Sequence, residues 1–304
     1  MRYLSGVDES LSLPVLGLGC MRMSNDRSEP ARAEALATIH AALDQGVCFL
    51  NTGDFYGTGH NEMLVGEAIR GVPRDQVILS VKFGALVGPN GEHYGLNVAP
   101  STVKSYLAYS LERLGVDYVD LYQPCRINPA RPVEETLGAV QELMAAGYVR
   151  HVGLSQVDAI TLRRAAAVCP ISLLEVNYSV FHRQPEEGLL QTAAELGIGV
   201  VAFGVLASGM LSSRSIEQMR ASHPQYAPTD AEHHLAVVSA LQTIADEMGI
   251  TLTQLLTAWV LAQGPNIMAL VGARTRTQLA DSMGALNVSL SGDDLDQIDA
   301  VTVD

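Results

Sequence analysis

Short apolar runs alternate with helical patterns along most of the chain. Eight runs rich in Val, Ile and Leu are predicted to be strands, at 15–20, 47–52, 76–83, 117–123, 150–155, 173–178, 199–204 and 266–272. Runs that are apolar at almost every position are typical of parallel strands buried on both faces. The intervening stretches, such as 31–46, 132–147 and 186–197, have helical patterns and end in glycine, as helix C-caps do.

This alternation predicts an α/β protein with a (β/α)₈ TIM barrel. An open, doubly wound sheet has the same alternation and is the alternative. Residues 2–14 are predicted to form an N-terminal β-hairpin across the barrel bottom. The segment from Leu206 to about Gly249 is too long for a simple connection, and we read it as a long insertion after strand 7. No low-complexity linker divides the chain, so a single domain over 1–304 is expected.

Composition and charge narrow the class of protein. The hydrophobic fraction of 48% and charged fraction of 17% are those of a soluble globular chain. A formal charge of −14 argues against a nucleic-acid partner and against anionic membrane surfaces. No apolar run reaches the roughly 18 residues of a membrane helix, and the first residues lack a signal-peptide core. A cytoplasmic location is therefore expected.

Cysteine and histidine spacing argues against disulfides and metals. Cys20, Cys48, Cys125 and Cys169 are widely separated with no CxxC pair, which favours reduced thiols. The eight histidines form no HxxxH or HExxH set, so no metal site is expected.

Lysine usage singles out one position. Of 19 basic residues only two, Lys82 and Lys104, are lysine. Lys104 lies in an amphipathic helical pattern and is read as a solvated side chain, whereas Lys82 lies inside the apolar run VILSVKFG. A buried ammonium is unfavourable unless it is paired, so Lys82 is a candidate functional residue.

Polar residues occur where the predicted strands end, which is where TIM barrels carry their chemistry. These residues are Asn51 followed by Tyr56, Lys82, Cys125, Ser155 with Gln156, Glu175 with Asn177, and Phe203 with Gly204. A lysine beside a tyrosine favours the phenolate and lowers the tyrosine pKa. Such a tyrosine can donate a proton to a carbonyl oxygen as hydride reaches the carbon. The alternative is that Tyr56 is a turn aromatic and Lys82 a snorkelling strand-end residue.

The chain resembles the aldo-keto reductase family from end to end. The motifs LGLGCMRM, FLNTGDFYGTGHNEMLVGEAI, VKFG, SLERLGVDYVDLYQ, HVGLSQV, NYSVFHRQPE and LVGART…LADSMGAL follow the family's order and spacing. The resemblance implies a (β/α)₈ barrel that binds NADPH across its C-terminal face, without a Rossmann glycine fingerprint. It also implies a catalytic set of aspartate, tyrosine, lysine and histidine.

Two of the four implied catalytic positions are altered. Tyr56 matches the proton donor and Lys82 its partner, but Asn51 stands in place of the aspartate and Cys125 in place of the histidine. Asn51 can accept a hydrogen bond from Lys82 but supplies no counter-charge. An unpaired Lys82 would pull harder on Tyr56 or lose its own proton. Asp54 is a candidate to compensate, although it is equally readable as a turn or cap residue.

Cys125 is expected to act as a small, nearly apolar filler rather than a nucleophile. A thiol is a weaker donor than imidazole, and removal of one oriented donor costs on the order of 10²–10³ in rate in other enzymes. The rest of the substrate pocket is predicted near Met21, Met23, Phe55, Phe83 and the loop 84–97, with His93 and Tyr94 at the rim.

The resemblance also implies the cofactor contacts. Ser155 would hold the nicotinamide carboxamide, with Gln156 beside it and Glu175 where a glutamine usually contacts the same amide. Phe203 would stack on the nicotinamide, and Arg274 would face a 2′-phosphate, which favours NADP over NAD. The remaining implied contacts are Gly19, Cys20, Met21, Asn51, Gly204, Val205, Leu206, Ser208, Gly209, Leu211, Gly272, Ala273, Gln278, Asp281 and Ser282.

Three functions fit these residues. The first is an NADP-dependent reductase or alcohol dehydrogenase acting on a small carbonyl compound and its alcohol. The second is a cofactor-binding regulatory or scaffold subunit with weak or no activity, motivated by Asn51 and Cys125. The third is a repurposed lyase or isomerase. The physiological substrate and the oligomeric state stay open.

Overall fold

Eight parallel strands close into a barrel in the computed structural model, which describes residues 1–7, 11–206 and 228–302, without the side chains of 228–231. In chain order the strands of the described residues are Leu16–Gly19 (β1), Phe49–Gly53 (β2), Ile78–Phe83 (β3), Ala85–Val87 (β4), His93–Leu96 (β5), Val119–Pro124 (β6), Val149–Ser155 (β7), Ile171–Asn177 (β8), Gly199–Phe203 (β9) and Ile267–Val271 (β10). β4 and β5 form a separate two-stranded sheet, and the other eight form the barrel. β1 closes the sheet because Leu18 pairs with both Val271 and Leu50. The predicted TIM barrel is confirmed, and the open sheet is wrong.

Helices cover the outside of the barrel. They are Glu29–Asp44, His60–Ala68, Pro100–Leu114, Val133–Ala145, Ala159–Ala166, Leu189–Glu195, Pro228–Glu247, Leu252–Ala262, Arg276–Gly284 and Gly292–Thr302. Their ends follow the local sequence: Asp158 caps one helix by accepting from the Thr161 amide, and Thr251 with Gln254 forms a capping box on another. Gly115 ends the helix Pro100–Leu114 with a φ of 67°, a left-handed conformation that glycine adopts without strain.

The N-terminal segment covers the bottom of the barrel. Tyr3 pairs antiparallel with Pro14, and the Leu4 amide donates to the Leu13 carbonyl over 2.8 Å. Leu11 and Leu13 pack on an apolar cluster formed by Phe49, Leu121, Leu173, Val201, Met268 and Leu270. The predicted hairpin is therefore present as two paired segments, and residues 8–10 between them lie outside the described residues.

Two connections on the opposite side of the barrel differ from simple loops. The predicted loop 84–97 contains the antiparallel hairpin β4–β5, whose register shifts between Leu86 and Val87. After β9, the insertion contributes the helix Pro228–Glu247, while residues 207–227 lie outside the described residues.

Among the described helices none alone is long and apolar enough to cross a membrane. The pair Glu232–Glu247 and Leu252–Ala262 reaches that length only across a 92° bend.

Strand alternation stacks a polar layer directly above the apolar cluster inside the barrel. Successive residues of a strand point to opposite faces, so the residue two positions after an inward apolar side chain also points inward. By this rule Asn51 follows Phe49, Gln123 follows Leu121, and Glu175 follows Leu173. Lys82 and Ser80 occupy the same inner face of β3. All five polar side chains are buried.

Candidate active site

A cleft of about 860 Å³ opens at the C-terminal ends of the barrel strands. This volume lies in the upper part of the range for ligand sites, about 300–1,000 Å³. Most of the residues expected in the site from the sequence line the cleft, namely Gly19, Met21, Asn51, Tyr56, Lys82, Cys125, Ser155, Glu175, Phe203, Gly204, Val205, Leu206, Gly272, Arg274, Gln278, Asp281 and Ser282.

Some expected site residues lie elsewhere. Cys20 and Ala273 are buried outside the cleft lining, because their side chains pack into the barrel core. Gln156 turns away from the cleft, since its Oε1 accepts from the Asn177 amide over 2.8 Å. Met23 and Phe83 are also buried in the core rather than lining the pocket, and Tyr94 is exposed outside it. The expected flap residues Ser208, Gly209 and Leu211 lie outside the described residues.

The sequence did not single out several lining residues. They come from the hairpin β4–β5, from the helix Leu252–Ala262 and from positions next to expected ones: Arg22, Ala85, Gly95, Leu96, Arg126, Leu252, Thr253, Leu256, Leu270 and Val271. The rings of Phe55 and His93, which also line the cleft, contact edge to face with their centroids 5.8 Å apart. The helix residues could have been found from the capping box Thr251–Gln254, which fixes the helix start beside the cleft.

Lys82 is paired at the centre of the polar layer. Its Nζ donates to Asn51 Oδ1 over 2.5 Å and to Glu175 Oε1 over 2.6 Å. Glu175 Oε2 accepts two further bonds, from Asn51 Nδ2 over 2.8 Å and from Gln123 Nε2 over 2.7 Å. Only 5% of the Lys82 side chain and 4% of the Glu175 side chain is exposed, so this is a buried ion pair.

This pairing corrects two expectations. Lys82 is not left without a counter-charge, because Glu175 supplies one from β8. Burial lowers the pKa of Lys82, but the charges of Glu175 and Tyr56 outweigh it and hold the pKa above its ordinary value. Asp54 does not compensate: its Oδ2 accepts from the Gly84 amide at 3.4 Å, and its Oδ1 is buried with no partner among the described residues.

Tyr56 lies against this ion pair and faces the cleft. Lys82 Nζ is 5.4 Å from the centre of the Tyr56 ring. Burial raises the pKa of the Tyr56 hydroxyl above its ordinary value, whereas the charge and hydrogen bond of Lys82 lower it and the charge of Glu175 raises it again. The expected lowering by Lys82 is therefore present, but it is smaller than the effect of burial.

Cys125 is held at the end of β6 by its backbone amide, which donates to the Phe83 carbonyl over 2.8 Å. Burial raises the pKa of the Cys125 thiol to about 11, and the charge of Asp54 adds to this, against smaller lowering by Arg126 and Lys82. The side chain is therefore a neutral thiol near pH 7, which suits a filler and not a nucleophile.

The other half of the cleft presents groups suited to a polar, anionic ligand. Ser155 Oγ is buried and has no hydrogen-bond partner among the described residues. Arg274 forms no salt bridge with a described carboxylate, and its backbone amide donates to Gln278 Oε1 over 2.9 Å. Gly204, beside Phe203, has a φ of 72°, which strains residues other than glycine, and a Cβ there would lie 2.3 Å from Asn177 Oδ1.

Metal chemistry has no counterpart among these side chains. In the part of the chain that the structure describes, no group of three or more His, Cys, Asp and Glu residues is placed to hold a metal ion. All four cysteines are free thiols, so none is tied into a disulfide.

A family model and a related protein match most of the chain. The family model described as the Aldo/keto reductase family matches residues 15–303. The chain belongs to the aldo-keto reductase family. It is 31% identical over 290 residues to the soybean (Glycine max) protein named "Probable aldo-keto reductase 1", covering 93% of this chain and 84% of that protein.

Solved structures of other aldo-keto reductases share the fold. The glycerol dehydrogenase from Gluconobacter oxydans superposes with a TM-score of 0.87 at 27% identity, covering 99% of this chain and 95% of its own. An aldo-keto reductase from Klebsiella pneumoniae, solved with NADP and acetate, gives a TM-score of 0.78 at 26% identity, covering 99% and 96%. These likenesses extend over the whole barrel and include oxidoreductases.

Proposed function

We propose that this aldo-keto reductase interconverts an aldehyde or ketone and its alcohol, with NADP(H) as the hydride carrier. The observation that carries the proposal is the Tyr56–Lys82 pair, a phenol facing the cleft with a paired, buried ammonium behind it. A phenol placed in this way is a general acid for a carbonyl oxygen and a general base for an alcohol.

The residues of the cleft fit the proposed cofactor. The hydroxyl of Ser155, which has no hydrogen-bond partner in the described part of the chain, is suited to the carboxamide of a nicotinamide ring, and the aromatic face of Phe203 is suited to stacking on that ring. The Klebsiella relative, whose solved structure contains NADP, supports the same assignment here. Bound NADPH would supply the hydride.

Tyr56 would then move the proton. A carbonyl oxygen hydrogen-bonded to its hydroxyl becomes more basic as hydride arrives, and the phenol proton passes to it. Lys82, held charged by its partners, stabilises the phenolate that remains. In the reverse direction the phenolate accepts the proton of the alcohol. The neutral Cys125 thiol contributes shape at the substrate end and takes no part in this transfer.

The test is turnover with and without the phenol hydroxyl. We expect purified protein to consume NADPH, followed by absorbance, with some members of a panel of aldehydes, ketones and sugars. Tyr56→Phe is expected to lower kcat by at least about 10²-fold, because it removes the general acid. Tyr109→Phe is the matched control, since Tyr109 is 61% exposed on the outer helix Pro100–Leu114.

Tight NADPH binding, measured by quenching of protein fluorescence, without turnover of any panel member would overturn the proposal. That result would favour the alternative of a cofactor-binding subunit with little or no activity. Turnover that survives in Tyr56→Phe at the level of Tyr109→Phe would remove Tyr56 from the mechanism.

A further inference from the structure

The counter-charge of Lys82 comes from an unexpected strand. The resemblance to relatives implies an aspartate at position 51 on β2 and a glutamine at position 175 on β8. This chain has the amide at Asn51 and the carboxylate at Glu175. Both side chains point into the same layer, and both contact Lys82 Nζ, at 2.5 Å and 2.6 Å.

The neighbours of Lys82 leave Glu175 as its source of negative charge. Among the described residues, Glu175 is the carboxylate that forms a salt bridge with Lys82. The other titratable groups acting on Lys82 or responding to it are the Tyr56 phenol after β2 and the thiols of Cys125 and Cys20 at the ends of β6 and β1. Burial raises the pKa of each of these three groups, so they are neutral near pH 7.

Glu175 is itself built into the site rather than loosely placed. Its two oxygens accept three side-chain hydrogen bonds, one from each of β2, β3 and β6. Asn51 can donate to Glu175 and accept from Lys82 at once, which a carboxylate at position 51 could not do. The amide and the carboxylate therefore form one complementary set around the ammonium.

We propose that Glu175 is a positioning residue of the proposed reaction. It supplies, from β8, the carboxylate that keeps Lys82 charged and directed at Tyr56, while position 51 on β2 carries an amide in place of a carboxylate. The inference rests on the proposed function for its catalytic meaning. Its structural part, that the charge of Lys82 depends on Glu175, is independent of turnover.

The lysine content of the chain makes that part directly measurable. Only Lys82 and Lys104 are lysines, so the spectrum of protein labelled with ¹³C-lysine contains two side chains. Lys104 pairs with Glu142 at the surface and serves as an internal reference, assigned with Lys104→Arg. In the unchanged protein the Lys82 signal is expected to stay that of an ammonium beyond the ordinary lysine pKa, because its pKa is raised.

Glu175→Gln keeps the shape and removes the charge. We expect Lys82 to titrate at least about one pH unit lower in this variant, with Lys104 unchanged, because an opposite charge at this range shifts a pKa by about 1–3 units. The double variant Asn51→Asp with Glu175→Gln returns the carboxylate to β2. It is expected to restore the Lys82 titration, since the ammonium again has a charged acceptor.

Catalysis supplies a second readout. The high-pH limb of the kcat profile for reduction is expected to move to lower pH in Glu175→Gln and back in the double variant. The limb moves to lower pH in both possible cases. If Lys82 loses its proton at lower pH, activity falls at lower pH. If Lys82 stays charged, loss of the Glu175 charge lowers the pKa of Tyr56. A residue that only supports the fold would lower activity without moving this limb.

The outcomes separate the two proposals. A Lys82 titration unchanged in Glu175→Gln overturns the inference, whatever the enzyme does. If that variant does not fold, the double variant decides: a folded double variant with charged Lys82 supports the inference, and an equally unfolded one overturns it. Absence of turnover in the unchanged protein contradicts the proposed function but leaves the titration result standing.

Discussion

The side-chain amide of Asn51 donates to Glu175 Oε2 over 2.8 Å in a fully buried contact. This relationship fixes what an aspartate at position 51 would do. Two carboxylates at that separation cannot both be ionised without a large penalty, so one of them would hold a proton with a raised pKa.

Asn51→Asp is therefore expected to leave reductase activity equal or lower, and not to raise it. The variant is also expected to lose stability as pH rises, because the native state must give up the shared proton while the unfolded chain ionises freely. Thermal unfolding at about pH 6 and pH 9 measures this slope, and kcat is measured in parallel. A clear gain in kcat would mean that Lys82 lacks a sufficient counter-charge in the unchanged protein.

Cys125→Ala tests the filler role of the thiol. Because the pKa of Cys125 is raised to about 11, the thiolate population near pH 7 is small, and we expect little reaction with iodoacetamide. We expect kcat to change by less than about tenfold in the alanine variant, equivalent to about 1.4 kcal/mol of transition-state stabilisation. A loss as large as that in Tyr56→Phe would show that the sulfur takes part in the reaction.

The features of the fold and the site that depend on neighbouring residues can be predicted from the sequence. The eight strands follow from continuous apolar runs, and Tyr56 and Lys82 stand out because one follows a strand end and the other interrupts an apolar strand. Helix ends were also readable where Gly115 or the Thr251–Gln254 capping box marks them. Each of these signals lies within a few residues of the feature it predicts.

Contacts between side chains that are distant in the sequence are harder to predict. The sequence suggests Asp54, three residues from Asn51, as the compensating carboxylate, but the negative charge comes from Glu175, which is 124 positions from Asn51 and 93 from Lys82. Strand alternation could have given the answer, because Phe49–Asn51 and Leu173–Glu175 have the same inward spacing. The hairpin β4–β5 is not predicted by the sequence, because strands of three and four residues carry too little alternation of apolar and polar positions.

Asp54 gives a stability prediction with a defined sign. Burial raises the pKa of this carboxyl to about 7, and the nearby charge of Glu62 adds to the effect. The native state then holds a proton that the unfolded chain releases near pH 4, so stability falls as pH rises through about 4–7 and stays lower above it. Asp54→Asn removes this loss while keeping an acceptor for the Gly84 amide.

We expect Asp54→Asn to be more stable than the unchanged protein at about pH 8, by on the order of 1–3 kcal/mol, and little different near pH 4. Thermal unfolding at the two pH values measures the difference. Asp75→Asn, at an exposed aspartate, is the matched control and is expected to change neither value. A gain for Asp54→Asn that is equal at both pH values would contradict the assigned titration.

Arg274 gives a prediction about cofactor choice. Arg274 lines the cleft and forms no salt bridge with a described carboxylate, whereas Arg276, two residues on, is paired with Glu34 at 2.9 Å and lies outside the cleft lining. We expect Arg274→Gln to raise the Kd for NADPH by about tenfold or more and to leave that for NADH nearly unchanged, because a charged hydrogen bond to a phosphate contributes about 1.5–3 kcal/mol.

Fluorescence titration with both cofactors measures the ratio of the two Kd values. Arg276→Gln is the control in the same segment and is expected to leave that ratio unchanged. Equal weakening of NADPH and NADH by Arg274→Gln would indicate a general role in the binding segment rather than recognition of the 2′-phosphate.

Two glycines in outer helices are expected to respond in opposite ways to alanine. A Cβ at Gly66 would lie 2.5 Å from the Leu114 carbonyl oxygen, so the helix His60–Ala68 could not keep its approach to the end of Pro100–Leu114. A Cβ at Gly138 would meet nothing within 4 Å. Gly66→Ala should therefore lower the free energy of unfolding by about 1–3 kcal/mol through overpacking. Gly138→Ala should raise it by up to about 1 kcal/mol through helix propensity, and urea unfolding of both variants checks the two signs.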